Sequence, residues 1–260
     1  MKNRFLYTVP VFFVLLLALQ RCSKTTDYLE HIQQASAKNY RVKAISFPVT
    51  WADLGYRSYI FSYNDKGDPS NIVFTDDDGY GFGYDTQGRL RRFGLYLGGK
   101  EPVNVFEHYY GYRDASSLID SFYYGSRYPT EPTEHRYHVI SLVKLDEKGR
   151  VIWEKVTEQE NSKFKVGQVT TYTYDADGNL VRPNARYTKK PSLRSLSKMY
   201  QLIDRNYSVN AAEDEGENYN TAGLPQRLKK GGKDFLSLGY SNIGKLNDLP
   251  APDVQYERVP

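Results

Sequence analysis

Along most of its length the chain alternates between apolar and polar positions instead of cycling at helical spacing. Tyr137, Val139, Ser141, Val143 and Leu145 fall on one face of an extended segment, with His138, Ile140, Leu142 and Lys144 on the other. Residues 151–156 read as its return strand, and Val169, Thr171 and Thr173 alternate with Thr170, Tyr172 and Tyr174. Both faces carry aromatic or β-branched side chains, which predicts a curved sheet covered in part on either side. Helical spacing occurs twice. Residues 27–37 open on Asp27 and Glu30 in the manner of a capping box. Pro191 and Ser192 precede Leu193, Leu196, Tyr200 and Ile203, which predicts a helix over about 192–205 lying across one sheet face. Residues 211–218, with Glu213, Asp214, Glu215 and Glu217, read as a loop.

One phrase recurs between the strands. It stands as Tyr63-Asn64-Asp65-Lys66-Gly67, Tyr84-Asp85-Thr86-Gln87-Gly88-Arg89-Leu90, Leu145-Asp146-Glu147-Lys148-Gly149-Arg150-Val151, Tyr174-Asp175-Ala176-Asp177-Gly178-Asn179-Leu180 and Tyr219-Asn220-Thr221-Ala222-Gly223-Leu224. A looser copy is Tyr240-Ser241-Asn242-Ile243-Gly244-Lys245-Leu246. Such a phrase specifies a hairpin: Asp or Asn opens a type I turn by accepting from the backbone ahead, and Gly three residues on takes the left-handed conformation. The 61 residues between Gly88 and Gly149 match about three more units of the 21-residue spacing seen from Gly67 to Gly88. Degenerate turns are expected there at Gly98-Gly99, at Arg113-Asp114-Ala115 and at Tyr128-Pro129.

Composition changes the picture chiefly at the N-terminus. Lys2 and Arg4 precede an uncharged run of 14 residues from Leu6 to Leu19. That run is short of the ~20 residues a membrane span requires and fits an export signal. Cys22, the single cysteine, follows it, so no intramolecular disulfide is available. Its placement resembles the lipobox of bacterial lipoproteins, with Leu19 fitting and Arg21 standing where a small residue is usual. Loss of residues 1–21 removes Lys2, Arg4 and Arg21, leaving 32 basic against 31 acidic residues, so the charge gives no support for a nucleic-acid partner. The 24 tyrosines and 12 phenylalanines favour strands.

The phrases at Tyr84 to Leu90 and Tyr174 to Leu180 resemble YD repeats, the hairpin units of RHS and teneurin shells. The order of repeats, a helix, residues 204–210 and a final Tyr219-Asn220-x-x-Gly223-Leu224-Pro225 is similar to Bacteroidota outer-membrane lipoproteins with YD-like repeats, over most of residues 55–250. The resemblance implies a mainly β fold and an outer-membrane location, on its periplasmic or surface face, held by lipid on Cys22. About six copies are too few to enclose a cavity as RHS shells do. The expectation is an open, curved antiparallel β-meander with one amphipathic helix near the C-terminal third. Its plan is a signal peptide (1–21), an anchor and tether with a short helix (22–45), a repeat domain (46–250) and a C-terminal tail (251–260).

Candidate chemistry is sparse. Asp76-Asp77-Asp78-Gly79 and Asp175-Ala176-Asp177-Gly178 carry Phe74 and Thr173 where a calcium loop needs a further ligand, so turns are expected and no metal. His135 and His138 would point to opposite faces of a strand. There is no Gly-x-Ser-x-Gly elbow, and Gly79-Tyr80-Gly81-Phe82-Gly83 lacks the helix a phosphate loop requires. No cofactor is expected. The feature pointing to a ligand is a tyrosine-rich stretch of Tyr109, Tyr110, Tyr112, Arg113, Tyr123, Tyr124, Arg127 and Tyr128, a possible platform for a protein or glycan. The expected function is a non-enzymatic, lipid-anchored envelope module for binding or scaffolding. The alternatives are a glycan-directed envelope enzyme using paired carboxylates and a YD-repeat accessory of a secretion or toxin system.

Overall fold

The computed structural model describes residues 37, 39–47, 58–75, 78–98, 103–124, 137–160, 163–199, 202–229 and 251–259. Its strands are β1 (Tyr40–Ser46), β2 (Ser58–Tyr63), β3 (Pro69–Thr75), β4 (Asp78–Tyr84), β5 (Leu90–Leu97), β6 (Val103–Tyr112), β7 (Ser117–Tyr124), β8 (Tyr137–Leu145), β9 (Val151–Glu160), β10 (Lys163–Thr171) and β11 (Tyr187–Pro191). After the helix α1 (Leu193–Leu196) come β12 (Asn210–Ala212), β13 (Gly216–Tyr219), β14 (Pro225–Leu228) and β15 (Asp253–Arg258). Strands β10 back to β1 lie side by side in a meander, and β15, β14 and β13 extend it beyond β1 into one 13-stranded sheet; β11 and β12 form a separate pair. The sheet does not close, so β10 and β13 are its edges. A register shift between Val166 and Val169 bends the β10 edge, the kind of irregularity that discourages edge-to-edge pairing.

The recurring phrase makes the turns at one end of the sheet. In each described copy the first and seventh residues pair: Tyr63 with Pro69, Tyr84 with Leu90, Leu145 with Val151, Tyr174 with Leu180 and Tyr219 with Pro225. The five turn glycines have φ between 75° and 88°. The second residue caps the turn; Asp146 Oδ1 accepts from Lys148 N at 2.9 Å and Arg150 N at 2.9 Å. Tyr112 pairs with Leu118 around Asp114, a sixth turn of the same span without the glycine. The interval between Gly88 and Gly149 holds four strands of eight to ten residues, β5 to β8, paired antiparallel in succession, so the chain reverses in the three expected intervals but in longer units than 21 residues.

Tyrosine ties one hairpin to the next. Tyr63, Tyr84, Tyr174 and Tyr256 donate their hydroxyls to the carbonyls of Val42, Pro69, Val151 and Pro225 at 2.6–2.8 Å. Arg89 and Arg150 each bond the aspartate of their own turn and lie over the tyrosine of the following one, 4.4 Å from Tyr112 and 4.3 Å from Tyr174. A ring that packs and a hydroxyl that bonds explains why this repeat uses tyrosine where a purely apolar core would use leucine.

One sheet face is packed. Its rings run strand to strand, Tyr59 to Phe74 at 5.3 Å, Phe74 to Tyr80 at 5.3 Å, Tyr80 to Phe93 at 5.7 Å and Phe93 to Phe106 at 5.8 Å. Leu193, Leu196, Met199 and Leu202 join this core, so the segment after β11 crosses the sheet as expected. Burying each such side chain contributes roughly 1.5–3 kcal/mol. The helix itself is much shorter than the predicted 192–205. Met199 N bonds Arg194 O at 2.9 Å and Lys198 N bonds Ser195 O at 3.2 Å, a Schellman-type stop with Lys198 at φ 52°.

Three other expectations change. Residues 211–218 are not a loop but the ends of β12 and β13 around a tight turn. The supposed tail contains β15, which sits inside the sheet between β1 and β14, and part of the supposed tether is β1. The export segment, Cys22, the Tyr240 phrase and the first predicted helix apart from its last residue, the buried Ala37, lie outside the described residues. Among the described residues no helix is long and apolar enough to cross a membrane.

Candidate functional site

The packed face is interrupted over β6–β10 by a polar strip that the alternation of the strands puts in one line. Tyr110 stands opposite Asp120, Asp120 opposite Ser141, and Thr170 opposite Glu154. His108 takes a place among the rings, 4.6 Å from Phe122 and 5.9 Å from Phe93. Its Nδ1 lies 2.9 Å from Asp120 Oδ1. Arg205 comes down from the crossing segment. Its Nη2 is 3.0 Å from Glu154 Oε1 and 3.4 Å from Asp120 Oδ2, and Tyr172 donates to Glu154 Oε2 at 3.1 Å. Tyr110, fully buried, donates to Leu202 O at 2.8 Å.

The charges in the strip settle each other. Burial favours a neutral Glu154, but Arg205 and the hydrogen bonds of Arg205 and Tyr172 outweigh it and lower its carboxyl below the ordinary value. Burial likewise works against the Arg205 charge, and Glu154 and Asp120 more than offset it, so the guanidinium is held more firmly protonated than usual. Burial, then the Glu154 charge, pushes Tyr172 up to about 12. Asp120 and Glu154 are close enough to suggest a carboxylate pair, yet Arg205 occupies the space between them. The chemistry available to this arrangement is that of a clamp joining the crossing segment to the sheet.

A cleft lies at the turn end of the sheet. The space, about 580 Å³, lies between β1 (Tyr40, Arg41), the first turn (Tyr63 to Gly67), the stretch from Pro191 to Lys198, and Val259. This is within the range of small-molecule sites, roughly 300–1,000 Å³. Arg41 lies 4.3 Å from the Tyr63 ring and pairs with Glu257 at 2.6 Å. Burial raises the Tyr63 hydroxyl well above the usual phenol range although Arg41 pulls the other way. Lys198 donates to Lys66 O at 3.1 Å and Asp68 Oδ1 at 3.3 Å. A second, smaller cavity of about 160 Å³ adjoins the buried Glu215, whose Oε1 accepts from Leu193 N at 2.6 Å and so holds the start of α1. Burial raises the Glu215 carboxyl despite that bond.

The tyrosine-rich stretch does not form one platform. Neighbouring residues on a strand point to opposite faces. Tyr110 is in the core, whereas Tyr109, 42% exposed, meets Tyr123 on the outer face with ring centroids 5.7 Å apart. There Arg92 and Tyr109 both donate to Glu107. Tyr112 is at the turn end under Arg89, and Arg113 is exposed beside it. Tyr124 ends β7, and Arg127 and Tyr128 lie outside the described residues. Sequence reasoning missed the strip and the cleft. The available signal was charged residues on the inward phase of β-strands, Asp120 and Glu154 above all. Among the described residues no group of three or more side chains is arranged to hold a metal.

No family model matches the chain, and no curated protein matches it.

Proposed function

We infer that this protein is a non-enzymatic, lipid-anchored binding module of the cell envelope, with the cleft beside Lys198 as its ligand site. The observation that carries the reading is the cleft itself: an open, part-apolar space in which aromatic rings and a few charged groups converge. The pairing of Asp120 and Glu154 with Arg205 supports binding over carboxylate catalysis, since both carboxylates are already engaged. Cys22 directly after the apolar leader supports the anchor. An outer-membrane setting follows from the likeness to Bacteroidota lipoproteins with YD-like repeats.

Two measurements test it. Replacing Cys22 with Ala is expected to abolish labelling by a palmitate analogue and to release the protein from the membrane fraction; unchanged labelling would remove the anchor. Intact protein purified from envelope extract is expected to carry a ligand or partner that is lost when the cleft is altered by Leu196→Trp. Co-purification unaffected by that change would place binding elsewhere.

A further inference from the structure

Resting on the cleft as the binding site, we propose that it takes a saccharide bearing a carboxylate, a sugar acid, with the acid group received at Lys198 and the ring laid against tyrosine. The first ground is a strained residue. Lys198 holds φ 52° at the position after α1 where glycine is the usual occupant. An L side chain is strained there, and such strain persists chiefly where the side chain has a task. What the lysine adds over glycine is an ammonium at the cleft. Two of its three donors go to Lys66 O and Asp68 Oδ1, and the side chain remains 42% exposed, leaving the third for a ligand.

The second ground is the convergence of like charges. A Cβ on Gly67 would lie 3.3 Å from Lys198 Nζ and 3.9 Å from Arg41 Nη1. The bare glycine therefore lets an ammonium and a guanidinium approach one point at the cleft wall. Lys66 also lines the space, but its ammonium lies at Gly88 of the next turn, 3.2 Å from where a Cβ would stand, so the cations that face the cleft are Lys198 and Arg41, beside one carboxylate, Asp65. Asp68 and Glu257 pair with Lys198 and Arg41, which keeps the cluster stable without a ligand. Asp65 argues against a simple anion. A polyhydroxylated ring with one acid group answers both: its carboxylate meets the cations, its hydroxyls donate to Asp65, and its flat face stacks on Tyr40.

The test uses the intact, detergent-solubilised chain and three probes in calorimetry: trigalacturonate, neutral maltotriose and tetraglutamate peptide. Trigalacturonate is expected to bind saturably and more weakly at high salt. Lys198→Gly suits the backbone at this position but removes the bonds to Lys66 O and Asp68 Oδ1, so it should fold with a melting temperature close to that of the wild type. It should still lose about tenfold or more in affinity, the worth of one charge-assisted hydrogen bond. Asp65→Ala, on an exposed turn, should weaken binding without touching the core and serves if Lys198→Gly fails to fold. Absence of trigalacturonate binding, or equal binding by both variants, overturns the proposal. Tighter binding of maltotriose or the peptide, blocked by Leu196→Trp, overturns the sugar-acid assignment while leaving the cleft a binding site.

Discussion

Removing Arg205 is the sharpest perturbation of the clamp. In Arg205→Ala, Asp120, 4% exposed at its side chain, and Glu154, 12% exposed, keep their charges and lose their shared partner. Breaking one side of a buried ion pair costs about 3–5 kcal/mol. Arg205 is itself 23% exposed, so water can enter in its place and the lower end, about 3 kcal/mol, applies. For a chain of this size that is a fall of about 6–12 °C in melting temperature. The pH dependence identifies the cause. In the wild type the lowered Glu154 carboxyl contributes stability that is present above about pH 4.5 and lost as the pH falls through its folded value. Without Arg205, burial, the largest influence on that carboxyl, is opposed only by the hydrogen bonds of Tyr172 and Ser141, so the carboxyl should rise and acidification from pH 7 to pH 5 should now stabilise the variant. Urea unfolding followed by tyrosine fluorescence should show a gap of about 3 kcal/mol at pH 7 that narrows at pH 5. A gap under about 1 kcal/mol, equal at both pH values, would refute the clamp.

Three further outcomes follow from the turns and the smaller cavity. Gly149→Ala, at φ 75° with nothing within 4 Å of the new Cβ, should cost about 1 kcal/mol by backbone strain alone, and Gly178→Ala, which also meets Val209 Cγ2 at 3.0 Å, should cost more; equal losses by urea unfolding would contradict the packing of the fourth turn. Glu215→Gln keeps an acceptor for Leu193 N and removes a buried charge, so stability at pH 7 should hold or rise, while Glu215→Ala should lose about 1–3 kcal/mol; a loss in Glu215→Gln as large as in Glu215→Ala would mean the charge itself is needed. Burial opposes the Asp146 charge, but the bonds from the Arg150 and Lys148 amides and the Arg150 side chain prevail and lower its carboxyl below about 3.8. The turn therefore contributes stability present above that value and lost as the pH falls further, and Asp146→Asn should flatten this part of the acid-unfolding curve.

The hairpin turns were legible because each is local: a capping Asp or Asn and a glycine three residues on decide the backbone among themselves. The long strands were legible from alternation, and so was the crossing of α1 over the sheet. Its length was not, because Leu193, Leu196 and Ile203 keep a helical phase that the stop at Lys198 ends. The place of β15 beside β1 was hidden for a different reason. Pairing between residues more than 200 positions apart leaves no local mark, as with Arg41 and Glu257. Nor could the tyrosine count distinguish a platform from a ladder. Tyr109 and Tyr110 differ by one position and by a whole face, and only the register, with Tyr110 opposite Asp120, shows which is inside. The cleft was the least legible element, since its walls come from the two ends of the described chain, the first turn and the stretch around α1.

The central claim, that ligand is bound in the cleft, is tested most directly by photo-crosslinking in intact cells. A benzoylphenylalanine placed at Tyr40, at the cleft, should yield a discrete adduct on irradiation, and the same group at Ile60, 53% exposed on β2, should not. The Tyr40 adduct should disappear in Leu196→Trp, whose larger ring enters the cleft from its buried wall, while an unchanged circular dichroism spectrum shows that the fold is kept. Adducts from Ile60 alone, or a Tyr40 adduct indifferent to Leu196→Trp, would contradict the account.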